Sequence, residues 1–267
     1  MQKKVIDFSK YNPSGNMTVL VHSKHHPSEY ADIANCMMKF SHVCCEQVGF
    51  VSSTRDGLYK LEMSGHEFCG NATISYLHYL YEHNLLPHSK VELSVSGRAD
   101  LVQCKICDDG KYEVNMPKPL SIQHLDLHIS NVSYEAIEVI YESYVHIIVP
   151  VSEITDQLKR GVETYVRTYK WSHHLKTIGI MLFNTTTQYL VPLIYIPKVK
   201  SIVWENSCGS GSASIGIYET WYKQKTIHKL EIKQPGGSIW VSSNIDDFET
   251  SIIGEVSTVA IGQAYLG

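Results

Sequence analysis

A Cys-Gly pair followed by small polar residues and then a helical apolar pattern occurs twice in this chain. A motif repeated at such a distance constrains the fold to two related halves. Residues 68–81 read Phe-Cys-Gly-Asn-Ala-Thr-Ile-Ser-Tyr-Leu-His-Tyr-Leu-Tyr, and residues 207–221 read Ser-Cys-Gly-Ser-Gly-Ser-Ala-Ser-Ile-Gly-Ile-Tyr-Glu-Thr-Trp. Apolar positions at helical spacing follow each pair: Ile74, Leu77, Leu80 and Tyr81, then Ile215, Tyr218 and Trp221. Each cysteine is therefore expected to open a helix. The surroundings repeat more loosely, with a strand-like 18–22 leading into a helical 29–40 and a strand-like 145–151 leading into a helical 153–169. Further β-patterned runs lie at 91–95, 101–106, 112–116, 188–196 and 238–242, and Asp108-Asp109-Gly110 is a hairpin signal. Strands outnumber helices. The expectation is an α+β fold of two halves, each a curved, mostly antiparallel sheet around a central helix, with the boundary near Pro117-Lys118-Pro119.

Charge and composition remove several function classes. A formal net charge of -4 with no long basic run offers no footprint for a phosphate backbone, so nucleic acid is not an expected partner. Met1-Gln2-Lys3-Lys4 carries positive charge but no apolar stretch behind it, and the longest apolar run, 144–151, is too short to span a bilayer. The expected location is cytoplasmic, with no membrane partner. Seven cysteines, an odd number, argue for thiols in a reducing compartment rather than a disulfide framework. Cys104-Lys105-Ile106-Cys107 has redox or zinc spacing but no second pair, and its β-patterned setting turns the two thiols to opposite faces, so no metal is expected. The adjacent pairs His25-His26 and His173-His174 point their side chains apart and read as solvated surface. Cys44-Cys45 reads as wall packing and Cys36 as core.

What two cysteine caps offer is acid–base chemistry at carbon. Removing the α-proton of an amino acid needs a base and a field for the developing negative charge. A helix N-terminus supplies the field through its unpaired N–H groups, which also grip a carboxylate. The same dipole is expected to lower the pKa of a thiol placed there. Inversion needs a proton donor on the opposite face, and a second cap of the same design, Cys208 matched to Cys69, meets that need without a cofactor such as pyridoxal phosphate.

These residues resemble the diaminopimelate epimerase superfamily along nearly the whole chain. The similarity is carried by residues 8–16 (Phe-Ser-Lys-Tyr-Asn-Pro-Ser-Gly-Asn), Glu46-Gln47, Phe68-Cys69-Gly70-Asn71-Ala72, Ser207-Cys208-Gly209-Ser210-Gly211 and Gln234-Pro235-Gly236-Gly237. The resemblance implies two pseudo-symmetric halves with the active site in the cleft between them. The first, 1–117 plus 255–267, carries Cys69 and regains the C-terminal strand near 256–265, and the second, 118–254, carries Cys208. It also implies that Cys69 and Cys208 are catalytic and that Asn16, Glu46, Gln47, Ser64, Gly70, Asn71, His146, Glu205, Gly209 and Ser210 contact substrate. His146 rests on a looser match, since the family's Asn-Pro-His is Tyr-Val-His here.

The superfamily's epimerase holds a distal carboxylate with an arginine upstream of the second cysteine, a bidentate pairing lysine cannot copy. That stretch is Lys198-Val199-Lys200-Ser201-Ile202-Val203-Trp204-Glu205-Asn206 here, which serves a neutral or cationic ring better: Glu205 accepts hydrogen bonds and Trp204 offers an aromatic face. Residues 9–16, 43–50 and 204–211 are most similar to the histidine racemase family of staphylopine-type metallophore synthesis. That similarity implies conversion of L-histidine to D-histidine, no cofactor, a nicotianamine-synthase-like enzyme and an opine dehydrogenase as pathway neighbours, and it allows a homodimer. Lys200 keeps open an epimerase or racemase of another amino acid such as diaminopimelate. A dehydratase or isomerase on the same scaffold would usually lack one thiol, and a non-catalytic amino-acid-binding protein would show no turnover.

Overall fold

The computed structural model describes residues 4–54 and 57–266, which fall into two compact units: Met1–Asn115 with Ile253–Gly267, and Met116–Ile252. The first unit contains β1 (Lys4–Asn12), β2 (Thr18–Val21), α1 (Tyr30–Met37), β3 (Gln47–Ser53), β4 (Tyr59–Met63), α2 (Gly70–Glu82), β5 (Lys90–Val95), β6 (Val102–Ile106) and β7 (Tyr112–Asn115). The second contains β8 (Ser121–Ile129), β9 (Val132–Ile140), β10 (Tyr144–Val151), α3 (Asp156–Thr168), β11 (Thr177–Asn184), β12 (Tyr189–Ile196), β13 (Ser201–Trp204), α4 (Gly209–Lys223), β14 (Ile227–Gln234) and β15 (Gly237–Ser243). The chain passes back through β16 (Thr250–Gly254), and β17 (Ser257–Leu266) pairs antiparallel with β1 in the first unit. The fold is α+β with mixed sheets.

The two units share a plan. In the first, β2 and β3 run parallel across α1, β3 and β4 are antiparallel, and β4 and β5 run parallel across α2. In the second, β10 and β11 run parallel across α3, β11 and β12 are antiparallel, and β12 and β14 run parallel across α4. A parallel pair needs a crossover long enough to hold a helix, and each unit supplies two. In each unit the helix of the second crossover is the one capped by a cysteine.

Burial follows the sequence pattern. Helix α3 buries Leu158, Val162 and Val166, one stripe at i, i+4 and i+8, and leaves its charged face outside. Each of those side chains contributes about 1.5–3 kcal/mol if fully removed from water. Helices α2 and α4 differ: they are buried nearly all round, with small residues such as Ala72, Ser75, Ala213 and Ser214 where strands approach. Strand β10 reads Tyr-Val-His-Ile-Ile-Val-Pro-Val because both of its faces are covered. Its Val145, Ile147 and Val149 join the core that includes α3, while the opposite face lies under α4.

Candidate active site

Both cysteines take the extended backbone of a helix N-cap, Cys69 at φ -132° and Cys208 at φ -126°. The Ala72 N–H donates to Cys69 Sγ at 3.4 Å, and the Gly211 N–H donates to Cys208 Sγ at 3.3 Å. Four residues past each cysteine a hydroxyl reaches back to its carbonyl: Thr73 Oγ1 to Cys69 O and Ser212 Oγ to Cys208 O, both at 2.8 Å. Of the four N–H groups that a helix start leaves unpaired, the sulfur therefore takes the last. The donors next to it, on Gly70 and Asn71 or on Gly209 and Ser210, belong to the residues singled out in the sequence.

In the first unit the site residues form a connected chain. The pairing of Thr18 with Gln47 across β2 and β3 sets the two side chains together, and Gln47 Nε2 donates to Thr18 Oγ1 at 2.7 Å. Thr18 Oγ1 donates in turn to the Asn16 carbonyl at 3.1 Å, and the Cys69 thiol donates to Gln47 Oε1 at 2.9 Å. Glu46 is exposed, and its carboxylate accepts from the Met17 N–H at 3.1 Å. Ser64 sits just past β4, its N–H donating to the Val48 carbonyl at 3.1 Å.

The loop that carries Ser64 to Cys69 is gripped from the turn after β5. Ser96 Oγ accepts from Met63 N at 2.9 Å and donates to Glu67 O at 2.8 Å, and Arg98 lies over the Phe68 ring while pairing with Asp100. Gly97, at φ +75°, lies so close to the Phe68 backbone nitrogen that a Cβ would collide with it.

In the second unit the surroundings of the sulfur are different. Cys208 is 5% exposed, and its thiol is pushed well above the ordinary value by burial and by the charge of Glu205, whose carboxylate takes a hydrogen bond from it. The expectation that the helix field lowers this pKa is corrected: loss of solvent and an adjacent carboxylate outweigh the dipole, so Cys208 is held as a thiol. Ser210 Oγ lies 3.5 Å from the sulfur. Gly211 makes room for the cap, since a Cβ there would stand 2.8 Å from Met181 Sδ and 3.2 Å from Cys208 Sγ.

Under the first turns of α4, His146 is 1% exposed, its Nδ1 hydrogen-bonded to Ser214 Oγ at 2.7 Å and its ring held by the Ser210 backbone. Burial pushes its pKa down to about 3. Tyr141 joins the same hydroxyl at 2.7 Å. His146 is thus a brace for α4 within its own unit. Trp204 is turned toward α3: its Nε1 donates to Glu163 at 2.7 Å and the Lys159 ammonium stands over one side of its ring at 5.6 Å.

Several partners escaped the sequence reading: Ser96, Gly97 and Arg98 on the Cys69 side, and Tyr141 and Ser214 on the Cys208 side, while Gln234 carried the resemblance with no contact assigned to it. One signal was there to be read, since a hydroxyl residue follows each cysteine at the same offset, Thr73 and Ser212. None of the seven cysteines is in a disulfide. Among the described residues no cluster of three or more His, Cys, Asp or Glu side chains is arranged to hold a metal, and no helix is long and apolar enough to cross a membrane.

Two units on one plan, each with a cysteine-capped helix, define a chain with the architecture of the racemase and epimerase folds. Solved structures agree: the Bacillus anthracis phenazine biosynthesis protein of the PhzF family matches at TM-score 0.71 and 16% identity, covering 98% of this chain and 99% of its own. A hydroxyproline epimerase from Agrobacterium vitis matches at TM-score 0.66 and 12% identity, covering 98% and 93%. The model of the histidine racemase CntK N-terminal domain matches residues 5–265. The histidine racemase of Staphylococcus aureus (strain Mu50 / ATCC 700699) is 52% identical over 272 residues, spanning 100% of both chains. The chain belongs to the histidine racemase family, a family of amino-acid racemases among the isomerases.

Proposed function

We propose that the enzyme interconverts L- and D-histidine by passing the α-proton between Cys69 and Cys208, with no cofactor. One observation carries the reading: two caps of the same construction, each with a sulfur accepting the third N–H of its helix, in a chain 52% identical from end to end to a histidine racemase. The N–H groups of Gly70, Asn71, Gly209 and Ser210 hold the α-carboxylate and stabilise the charge that grows on it when the proton leaves.

Cys208, kept protonated by burial and Glu205, is the acid of the first half-cycle, which leaves the base role to Cys69. The Cys69 thiolate takes the proton from one face of Cα while the Cys208 thiol gives its proton to the other. The turnover ends with Cys69 as thiol and Cys208 as thiolate; loss of the Cys69 proton to solvent and uptake of one by Cys208 restore the starting form, and substrate of the opposite hand bound before that exchange runs the transfer in reverse. The chemistry requires both sulfurs to reach opposite faces of one carbon. Glu46 and Glu205, with the amides of Asn16 and Gln47, take the ammonium and the imidazole. An ammonium on Glu205 offsets the charge that holds the Cys208 proton, which eases its release. Ser64 and His146 set the entrance of α2 and the floor of α4. The sequence blocks shared with metallophore racemases support D-histidine as the product consumed downstream by a nicotianamine-synthase-like enzyme and an opine dehydrogenase.

The test is incubation with L-histidine in deuterated water, following optical rotation and α-deuterium. The wild type racemises and labels; Cys69→Ser and Cys208→Ser lose both, because an alcohol is a far weaker acid than a thiol. Racemisation surviving in either variant defeats the two-thiol scheme. Turnover of another amino acid in preference to histidine reassigns the substrate.

A further inference from the structure

The turn at 234–237, between β14 and β15, meets the entrance of α4 twice. Gln234 is 5% exposed, and its Oε1 accepts from the Cys208 N–H at 2.8 Å while its Nε2 donates to Ser212 Oγ at 3.0 Å. Ser212 donates onward to the Cys208 carbonyl, so one buried amide closes a ring of hydrogen bonds around both backbone polar groups of the cysteine. Two residues on, the Gly236 N–H donates to the Asn206 carbonyl at 2.8 Å, pinning the segment before the cap. Of the four donors at this helix start, Gln234 takes the first and the sulfur the fourth, and those of Gly209 and Ser210 lie between.

The first unit does this differently. Its matching turn, after β5, grips Met63 and Glu67 through Ser96, short of the cysteine, and its glutamine, Gln47, meets the sulfur of Cys69 rather than its N–H. The glutamine on Cys208 thus fixes the backbone from which the sulfur projects and leaves the sulfur to Glu205 and Ser210.

We propose that Gln234 is a positioning residue for Cys208, holding the cap so that Sγ meets the reacting carbon while Gly209 and Ser210 present their N–H groups to the carboxylate. The inference rests on the two-thiol reading above. Leucine at 234 supplies neither acceptor nor donor and strands two buried groups. Glutamate keeps the acceptor but sets a second negative charge near the thiol.

In Gln234→Leu, kcat for histidine falls by about tenfold to a hundredfold, the scale of a misplaced reacting group. KM moves much less, since Gly70 and Asn71 still hold the carboxylate. In Gln234→Glu, the alkaline limb of the kcat profile moves to higher pH, and alkylation of Cys208 by iodoacetamide, followed by peptide mass spectrometry, slows relative to wild type at the same pH. Alkylation needs no turnover, so it reports on Gln234 even if the wild type fails to racemise histidine, a result that would overturn the functional reading alone. A folded Gln234→Leu with wild-type kcat overturns the proposal. So does a Gln234→Glu enzyme whose pH limb and alkylation rate match wild type, and this variant decides the matter if the leucine protein does not fold.

Discussion

Cys69 and Cys208 sit in caps that agree to within about 0.1 Å in their main hydrogen bonds, yet their sulfurs meet different groups: a neutral amide on Cys69, a carboxylate on Cys208. Burial first, and the Glu205 charge with it, makes a thiol with a raised pKa out of a position whose helix field acts the other way. Removing the charge should reverse part of the shift. Glu205→Gln is expected to bring the Cys208 thiol down and speed its alkylation at pH 8, with a tenfold larger thiolate fraction for each pKa unit recovered. An unchanged rate would show that desolvation alone keeps the proton. The cysteines, their glycines and the serine or threonine four residues on were readable in the sequence. Which charge lies against which sulfur was not, because Glu205 and Glu46 stand at similar short distances from site residues along the chain and only the backbone path separates their roles. Trp204 teaches the same lesson: nearness to Cys208 in sequence suggested a substrate contact, whereas the strand carries its ring onto α3.

Among elements, the two-thiol proposal puts the chemistry on the loops that enter the cysteine helices rather than on the helix interiors. Gly97→Ala places a side chain at φ +75° against the Phe68 backbone, and about 1–3 kcal/mol of stability should be lost along with turnover, since Phe68 precedes Cys69. Thr155→Ala, which removes the N-cap bond to Leu158 of α3, should cost about 1 kcal/mol in urea unfolding and leave kcat in place. If both variants lose activity equally, the loop has no special role. Periodicity read the buried strands well: 145–151 is β10, Tyr144–Val151, and 153–169 contains α3, Asp156–Thr168. It missed the hairpin of β8 and β9. Their turn uses Ser130 and Asn131, at φ 49° and 65°, in place of the Asn-Gly signal that marks such turns, and β8 carries polar residues on an open face.

For the molecule as a whole, imidazoles held neutral by partial or full burial contribute to the response to acid. His146 in one unit and His22 in the other are pushed down to about 3 and about 4, chiefly by burial. Unfolding releases each to its ordinary value of 6.5, so the unfolded chain binds protons that the folded chain refuses. Their contribution is intact above pH about 6.5 and is lost as pH falls toward the folded values, at up to about 1.4 kcal/mol per pH unit for each. Urea titrations from pH 7 to pH 5 should show that decline, and His146→Gln should flatten it; a slope unchanged in the variant would assign the acid sensitivity elsewhere. The discontinuity of the first unit has its own consequence. Strand β17 completes the sheet that β1 begins, but all of the second unit lies between them in chain order. On the ribosome, the later half can close while the earlier half still presents a bare strand edge open to foreign pairing. The part of the nascent polypeptide that emerges first is the part that matures last.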